Sequence, residues 1–176
     1  GYLILPSRQV YLYDKALTDV YERHNFRIDA KLLERKDYQY VEEKDMNATD
    51  IGRIVELYNF LYITKYSKFN PMFTQKFVAH ILENPLFELY GFRNKNGILD
   101  AVGGRFTIDN VTTLPIVGYD TTLSKKKALY RRVLIATNLY SLSKDLTFNA
   151  SSGASNFKML RGCLLYTSDA ADERLS

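Results

Sequence analysis

Two loops carry the residue types best suited to chemistry. Gly118-Tyr-Asp-Thr-Thr-Leu-Ser124 joins a β-rich run to a helical one. Such a loop presents free backbone N–H groups at the positive end of a helix dipole, which suits a phosphate or pyrophosphate. Thr121, Thr122, Leu123 and Ser124 are the candidate contacts, and Lys125, Lys126, Lys127 and then Arg131 add positive charge. Tyr119 and Asp120 end the strand and are the candidates for moving a proton. An acid buried in a cleft there would be pushed toward neutrality. An ordinary cap by Ser124 with a solvated face accounts for the same residues. The second loop is Phe148-Asn-Ala-Ser-Ser-Gly-Ala-Ser-Asn-Phe-Lys158-Met-Leu-Arg161-Gly162. Small residues after a strand let a ligand approach the backbone, with Asn149 and Ser152 on the wall and Lys158 and Arg161 on one helix face. A plain helix entry with two surface cations is the competing reading.

Other chemistries lack their motifs. The chain has one cysteine and two histidines, which argues against a disulfide framework and a histidine-rich metal site. It has no Walker loop, dinucleotide-binding glycine fingerprint, zinc motif or nucleophile elbow. The expectation is chemistry that needs neither a metal nor a protein nucleophile. The longest apolar runs fall far short of the ~20 residues that cross a bilayer.

The elements that must position these loops follow from periodicity. Arg8–Tyr13 alternates as a strand, residues 16–33 are broadly helical with a break near Asn25, and Tyr38–Val41 reads as another strand. Asn47 caps a helix whose stripe is Ile51, Ile54, Val55, Tyr58, Leu61 and Tyr62, ending before Pro71. The aromatic run Tyr58–Tyr66 fits core, or an acceptor wall. Thr74 caps a shorter helix with Phe77, Val78, Ile81 and Leu82. Three strands follow, 87–93, 99–108 and 111–119, with tight turns at 94–97 and 109–110; Gly103-Gly104 implies a bulge or close backbone approach. A long helix over 125–144, a strand over 146–149 and a helix from Asn156 complete the pattern. The sum is mixed α/β: an antiparallel-centred mixed sheet flanked by helices.

Both loops and the element order resemble the acyl-CoA N-acyltransferase superfamily (GNAT-like), in particular its Fem-related branch. The carrying strings are Leu61-Tyr-Ile-Thr-Lys-Tyr-Ser67 with Asn70-Pro71, Pro115-Ile-Val-Gly-Tyr-Asp-Thr121, Leu129-Tyr-Arg131, and Asn149–Lys158 with Arg161-Gly162. The resemblance covers about 47–162. It implies an acyl-CoA or acetyl-CoA donor lying between two splayed strands, 114–119 and 146–149, with its pyrophosphate at the following helix. It also implies direct attack on the thioester by an amine or hydroxyl acceptor, with no metal. Thr121–Ser124 is poorer in Gly, Arg and Gln than the usual acetyltransferase loop. Within the resemblance, the alternative is a Fem-type transferase using aminoacyl-tRNA, the one reading that would bring in nucleic acid through an enzyme. From another class comes a nucleic-acid-binding module, suggested by a net charge of +6 over residues 1–162 and by many tyrosines.

The termini prompt a separate expectation. Cys163–Glu173 resembles one reading frame of a sequencing adapter, so 163–176 is expected to be non-native and the natural chain to be cut at both ends. Without that segment the chain carries +6 and no cysteine, in keeping with a reducing, cytoplasmic compartment. The expected organisation is thus 1–46 as the end of an upstream region or half-domain, 47–162 as the transferase-like core, and 163–176 as tail.

Overall fold

Alternation in Val10–Tyr13 makes β1, with Tyr11 and Tyr13 turned into the interior. The computed structural model describes residues 9–166. The broad helix expected over 16–33 is shorter: a 3-10 turn at Val20–Glu22, capped by Asp19, and then α1, His24–Ala30. The break expected near Asn25 falls at Arg23, which is extended. Strand β2 is Gln39–Glu42.

Asn47 starts α2, Ala48–Asn59, through a reciprocal capping box. Its side chain accepts from the Thr49 N–H while Asp50 accepts from the Asn47 N–H at 2.8 Å. The helix then widens into a π-helical stretch, Phe60–Tyr66. Thr74 caps α3, Gln75–Glu83, as its sequence indicates. The meander is β3, Glu88–Arg93, β4, Leu99–Ile108, and β5, Val111–Tyr119. Asp109 and Asn110 both take positive φ in the two-residue turn between β4 and β5, the geometry that matches strand twist. The long helix does not begin at Lys125. A 3-10 turn occupies Lys125–Lys127, Ala128 is left-handed (φ 55°), and α4 runs Leu129–Ser143. Strand β6, Thr147–Asn149, helix α5, Ser155–Met159, and β7, Leu164–Tyr166, follow.

The strands form one seven-stranded sheet in the order β2-β3-β4-β5-β6-β1-β7. Every pair is antiparallel except β5 with β6. One face packs against α4 and α1 through Tyr90, Phe92, Val117, Leu129 and Val133; the other packs against α2 and α3 through Leu99, Val102, Ile54, Leu57 and Ile81. Tyr90 crosses Gly103 and reaches α4, its hydroxyl donating to the Val133 carbonyl at 2.7 Å. A Cβ at Gly103 would fall 2.3 Å from the Tyr90 ring, so the close approach expected there is made by a side chain.

Segment 9–46 contributes β1, β2 and α1 to this sheet and its α4 face. Within the expected tail, Leu164–Tyr166 pairs with β1 and Cys163 is buried. Residues 1–8 and 167–176 lie outside the described residues.

Candidate functional site

The site begins at a fork in the sheet. Strands β5 and β6 run together for three residue pairs, Val111 with Thr147, Thr112 with Phe148 and Thr113 with Asn149. Beyond them β5 carries a bulge, where Leu114 and Pro115 together face Arg105. Pro115 has no N–H to give a neighbouring strand, and a bulge bends the strand that bears it. On the other arm the chain leaves β6 at once: Ala150 donates to Tyr11 O at 2.8 Å, and the Ser151 carbonyl accepts from Tyr11 N. Among the described residues, the edge of β5 from Leu114 to Tyr119 therefore lacks a strand partner on the β6 side.

One arm of the fork is organised by Lys158. Its ammonium is buried (1% exposed) and donates to the carbonyls of Ala150 at 2.6 Å, Ser151 at 3.0 Å and Ser152 at 2.8 Å. No carboxylate pairs with it among the described residues. Desolvation pushes its pKa down to about 8. The loop it gathers needs such an anchor, since Ser151 and Ala154 hold positive φ beside Gly153. Asn149 closes the start of the loop by accepting from Ser151 N at 2.8 Å.

The rings of Tyr119, Tyr130 and Phe157 cross from one arm to the other, with centroids 6.1 Å and then 5.2 Å apart. Lys65, from the π-helical end of α2, donates to the Tyr119 hydroxyl at 3.0 Å, and this bond raises the lysine pKa. Asp120 faces elsewhere. Its carboxylate accepts from Arg53 at 2.8 Å and from the Thr122 N–H and hydroxyl at 3.0 and 2.5 Å. Burial alone would raise its pKa, but the bonds from Thr122 and Arg53 outweigh it and the net displacement is downward. This corrects the expectation of an acid pushed toward neutrality there.

Thr121, Thr122 and Ser124 line the exposed rim of that loop, while Leu123 packs on the core. Ser124 caps the 3-10 turn, accepting from Lys126 N at 3.3 Å, and does not cap α4. The α4 N-terminus has no side-chain cap. Among the described residues the N–H groups of Leu129, Tyr130 and Arg131 find no partner. The uncapped helical N–H groups thus lie at 129–131, after the 120–124 loop anticipated to hold a phosphate.

Arg131 and Arg161 are brought together by a residue the sequence reading did not single out. Asp29 of α1 accepts from Arg131 Nε at 2.7 Å and from Arg161 Nε at 2.5 Å, and Arg161 also covers the Phe157 ring at 3.5 Å. Two guanidiniums share one buried carboxylate, so local charge stays positive. Asp29, Arg53, Lys65 and Tyr130 are the residues missed. Of these, Lys65 and Tyr130 had a local signal, within Leu61–Ser67 and Leu129-Tyr-Arg131.

No group of His, Cys, Asp or Glu that could hold a metal occurs among the described residues. Two concave surfaces are an open groove at the β2–β3 edge, lined by Lys36, Tyr38, Arg93 and Lys95, and a narrow crevice between Asp29, Asn138 and Arg161.

No protein-family profile matches the chain, and no curated protein matches it by sequence. Solved structures do match in shape. FemX superposes with a TM-score of 0.69 at 8% identity, over 93% of this chain and 60% of that one. L-PGS from Bacillus licheniformis gives 0.65 at 12%, over 90% and 57%. A GCN5-related N-acetyltransferase from Kribbella flavida gives 0.50 at 14%, over 91% and 55%. The fold is GNAT-like. At these identities the match is one of fold, and the chain spans 57–60% of the length of L-PGS and FemX. In this GNAT-like frame the splayed strands are β5 and β6, and the fork lies between them.

Proposed function

We propose that the protein is an acyltransferase, moving an acyl group from acyl-CoA or another acyl thioester to an amine or hydroxyl. The observation that carries this reading is the fork facing an uncapped helix end. Helix α4 returns the chain from β5 to the parallel β6, so its N-terminus stands at the end of the sheet where the fork opens. The N–H groups of Leu129, Tyr130 and Arg131 suit the donor's phosphates, and the unpaired edge of β5 suits its amide-bearing arm.

The acceptor lone pair adds to the thioester carbonyl carbon, the C–S bond breaks, and the acceptor's proton passes to solvent. Because Lys65 donates to the Tyr119 oxygen, the phenolic proton is free to point at the departing sulfur. Tyr119 then delivers that proton and recovers one from solvent. Asp120, held by Arg53 and Thr122, fixes the loop that follows. Catalysis is chiefly positioning, as a nucleophile-free site requires.

A second reading has its own observation. Lys36 and Lys95 line the groove at Tyr38, and Lys127 stands 5.9 Å from the Tyr38 ring, at the same end of the sheet as α4's start. A basic rim of this kind suits an aminoacyl ester carried on tRNA. Calorimetric titration with acetyl-CoA and palmitoyl-CoA, and with tRNA across salt concentrations, separates the two. Saturable acyl-CoA binding with shallow salt dependence supports the thioester reading. Steep salt-dependent tRNA binding without acyl-CoA binding overturns it. With a competent amine, Tyr119→Phe is expected to lower kcat by ~10²-fold and leave KM nearly unchanged, read by thiol release.

A further inference from the structure

Between Glu56 and Glu83 the chain holds no acidic residue, yet it carries Lys65, Lys68, Lys76 and His80 among seven Tyr and Phe side chains. The structure gathers this segment on one surface. Phe69 is 87% exposed, Met72 66% and Tyr66 63%, with Phe77 also exposed. These side chains are held outward by an ordered loop: Asn70 donates to Tyr62 O at 2.7 Å, Tyr58 to Pro71 O at 3.1 Å, and Phe69 N to Ser67 Oγ at 3.2 Å. Lys68 stands 5.4 Å from the Phe69 ring and Lys65 5.5 Å from the Tyr66 ring. Glu56, the acid nearest the segment's start, is held by Arg53.

We propose that the surface from Lys65 to Phe77 docks on an anionic lipid bilayer. Phe69 and Met72 enter the boundary between headgroups and acyl chains, while Lys65, Lys68 and Lys76 stay at the headgroups. Apolar insertion and charge are two signals that together give stable peripheral binding where either alone is weak. No helix among the described residues is long and apolar enough to cross the membrane, so this contact is peripheral.

The same residues argue for lipid over nucleic acid. Tyr66, Tyr62, Tyr58, Phe73 and Phe77 form a continuous row, with successive centroids 6.1, 4.4, 3.9 and 4.7 Å apart. The faces of Tyr62, Tyr58 and Phe73 are stacked on one another, so only Tyr66 and Phe77 at the ends of the row offer a platform for bases. What projects beyond the row is Phe69 and the Met72 thioether, a shape that fits acyl chains. Lys65 also touches Tyr119, so docking would set the mouth of the fork against the bilayer. The proposal stands independently of the transfer reading, because binding is read without any reaction.

The test is flotation of the 176-residue chain with vesicles of phosphatidylcholine alone, and with about a quarter phosphatidylglycerol. Binding is expected on the anionic vesicles and should weaken at high salt. Phe69→Ser with Met72→Ser should reduce partitioning by ~10-fold or more, and Lys68→Gln by ~5-fold, on the anionic vesicles only. These side chains are exposed, so circular dichroism and melting should match the parent and exclude misfolding as the cause. Equal or absent binding on both vesicle types overturns the proposal, as does binding that the variants leave intact. So does concentration-dependent dimerisation abolished by the serine variant without vesicle binding, which would make the face a contact between copies. Binding of single-stranded RNA that the variants abolish, with vesicles ignored, overturns it too.

Discussion

Lys158 exchanges the hydration of its ammonium for three backbone carbonyls. Each of its donors is used, so the side chain acts by holding the 150–152 loop against the fork rather than by reaching a substrate. Its pKa near 8 has a consequence for stability. The unfolded chain binds more protons than the folded one between about pH 8 and the ordinary lysine value near 10.4, so stability rises with pH across that window. Lys158→Met removes this titration. Comparing the two proteins by urea unfolding, the parent is expected to gain up to roughly 2 kcal/mol on its variant between pH 7.5 and 10, after allowance for solvent screening. Parallel pH profiles would show that the ammonium is not desolvated as described. Asp120 illustrates the opposite balance, where hydrogen bonds to the charged form overcome the cost of burial.

Element packing converges on Gly118 of β5. A Cβ there would sit 2.8 Å from Tyr58 N and 2.9 Å from the Leu57 carbonyl carbon, so α2 lies directly on the strand. Gly118→Ala is expected to cost about 1–3 kcal/mol by separating helix and strand, measured as a lower urea midpoint with an unchanged slope. Gly97 serves as the contrast. It has open space but φ 77°, so Gly97→Ala strains only the backbone and should cost about 1 kcal/mol. Close seating of α2 is also what brings Lys65 to Tyr119 and Arg53 to Asp120. The π-helical widening from Phe60 carries the tyrosine row past the end of β5.

At the scale of the molecule, distant segments complete the site. Asp29 joins Arg131 and Arg161, and β1 enters the sheet between β6 and β7. Cys163 is buried beside Tyr13, whose own stack on Phe148 has centroids 5.4 Å apart, and burial pushes the thiol pKa up to about 12. Deleting residues from Cys163 onward would remove that packing and the β7 pairing with Val10–Leu12. The shortened chain is expected to lose about 2–4 kcal/mol, read by thermal and urea unfolding. Equal stability would mean that the segment only rests on the fold.

What the sequence determined alone is whatever depends on neighbours in the chain. The caps at Asn47 and Thr74, the turn at Asp109-Asn110 and the three strands of the meander follow from local hydrogen bonding and alternation. The loops around Tyr119–Ser124 and Asn149–Arg161 stand out in the sequence as candidates for chemistry. Tertiary structure decided how they are used. The start of α4 moved to Leu129 because Ala128 adopts a left-handed turn that its side chain does not announce. Arg131 and Arg161 turned toward Asp29, 102 and 132 residues away, which no local pattern encodes. The fork itself arises where a bulge at Leu114-Pro115 and the departure of β6 toward β1 coincide. Strand pairing of this kind is a property of the closed sheet, because a backbone edge stays free or becomes paired only once every other strand has taken its place.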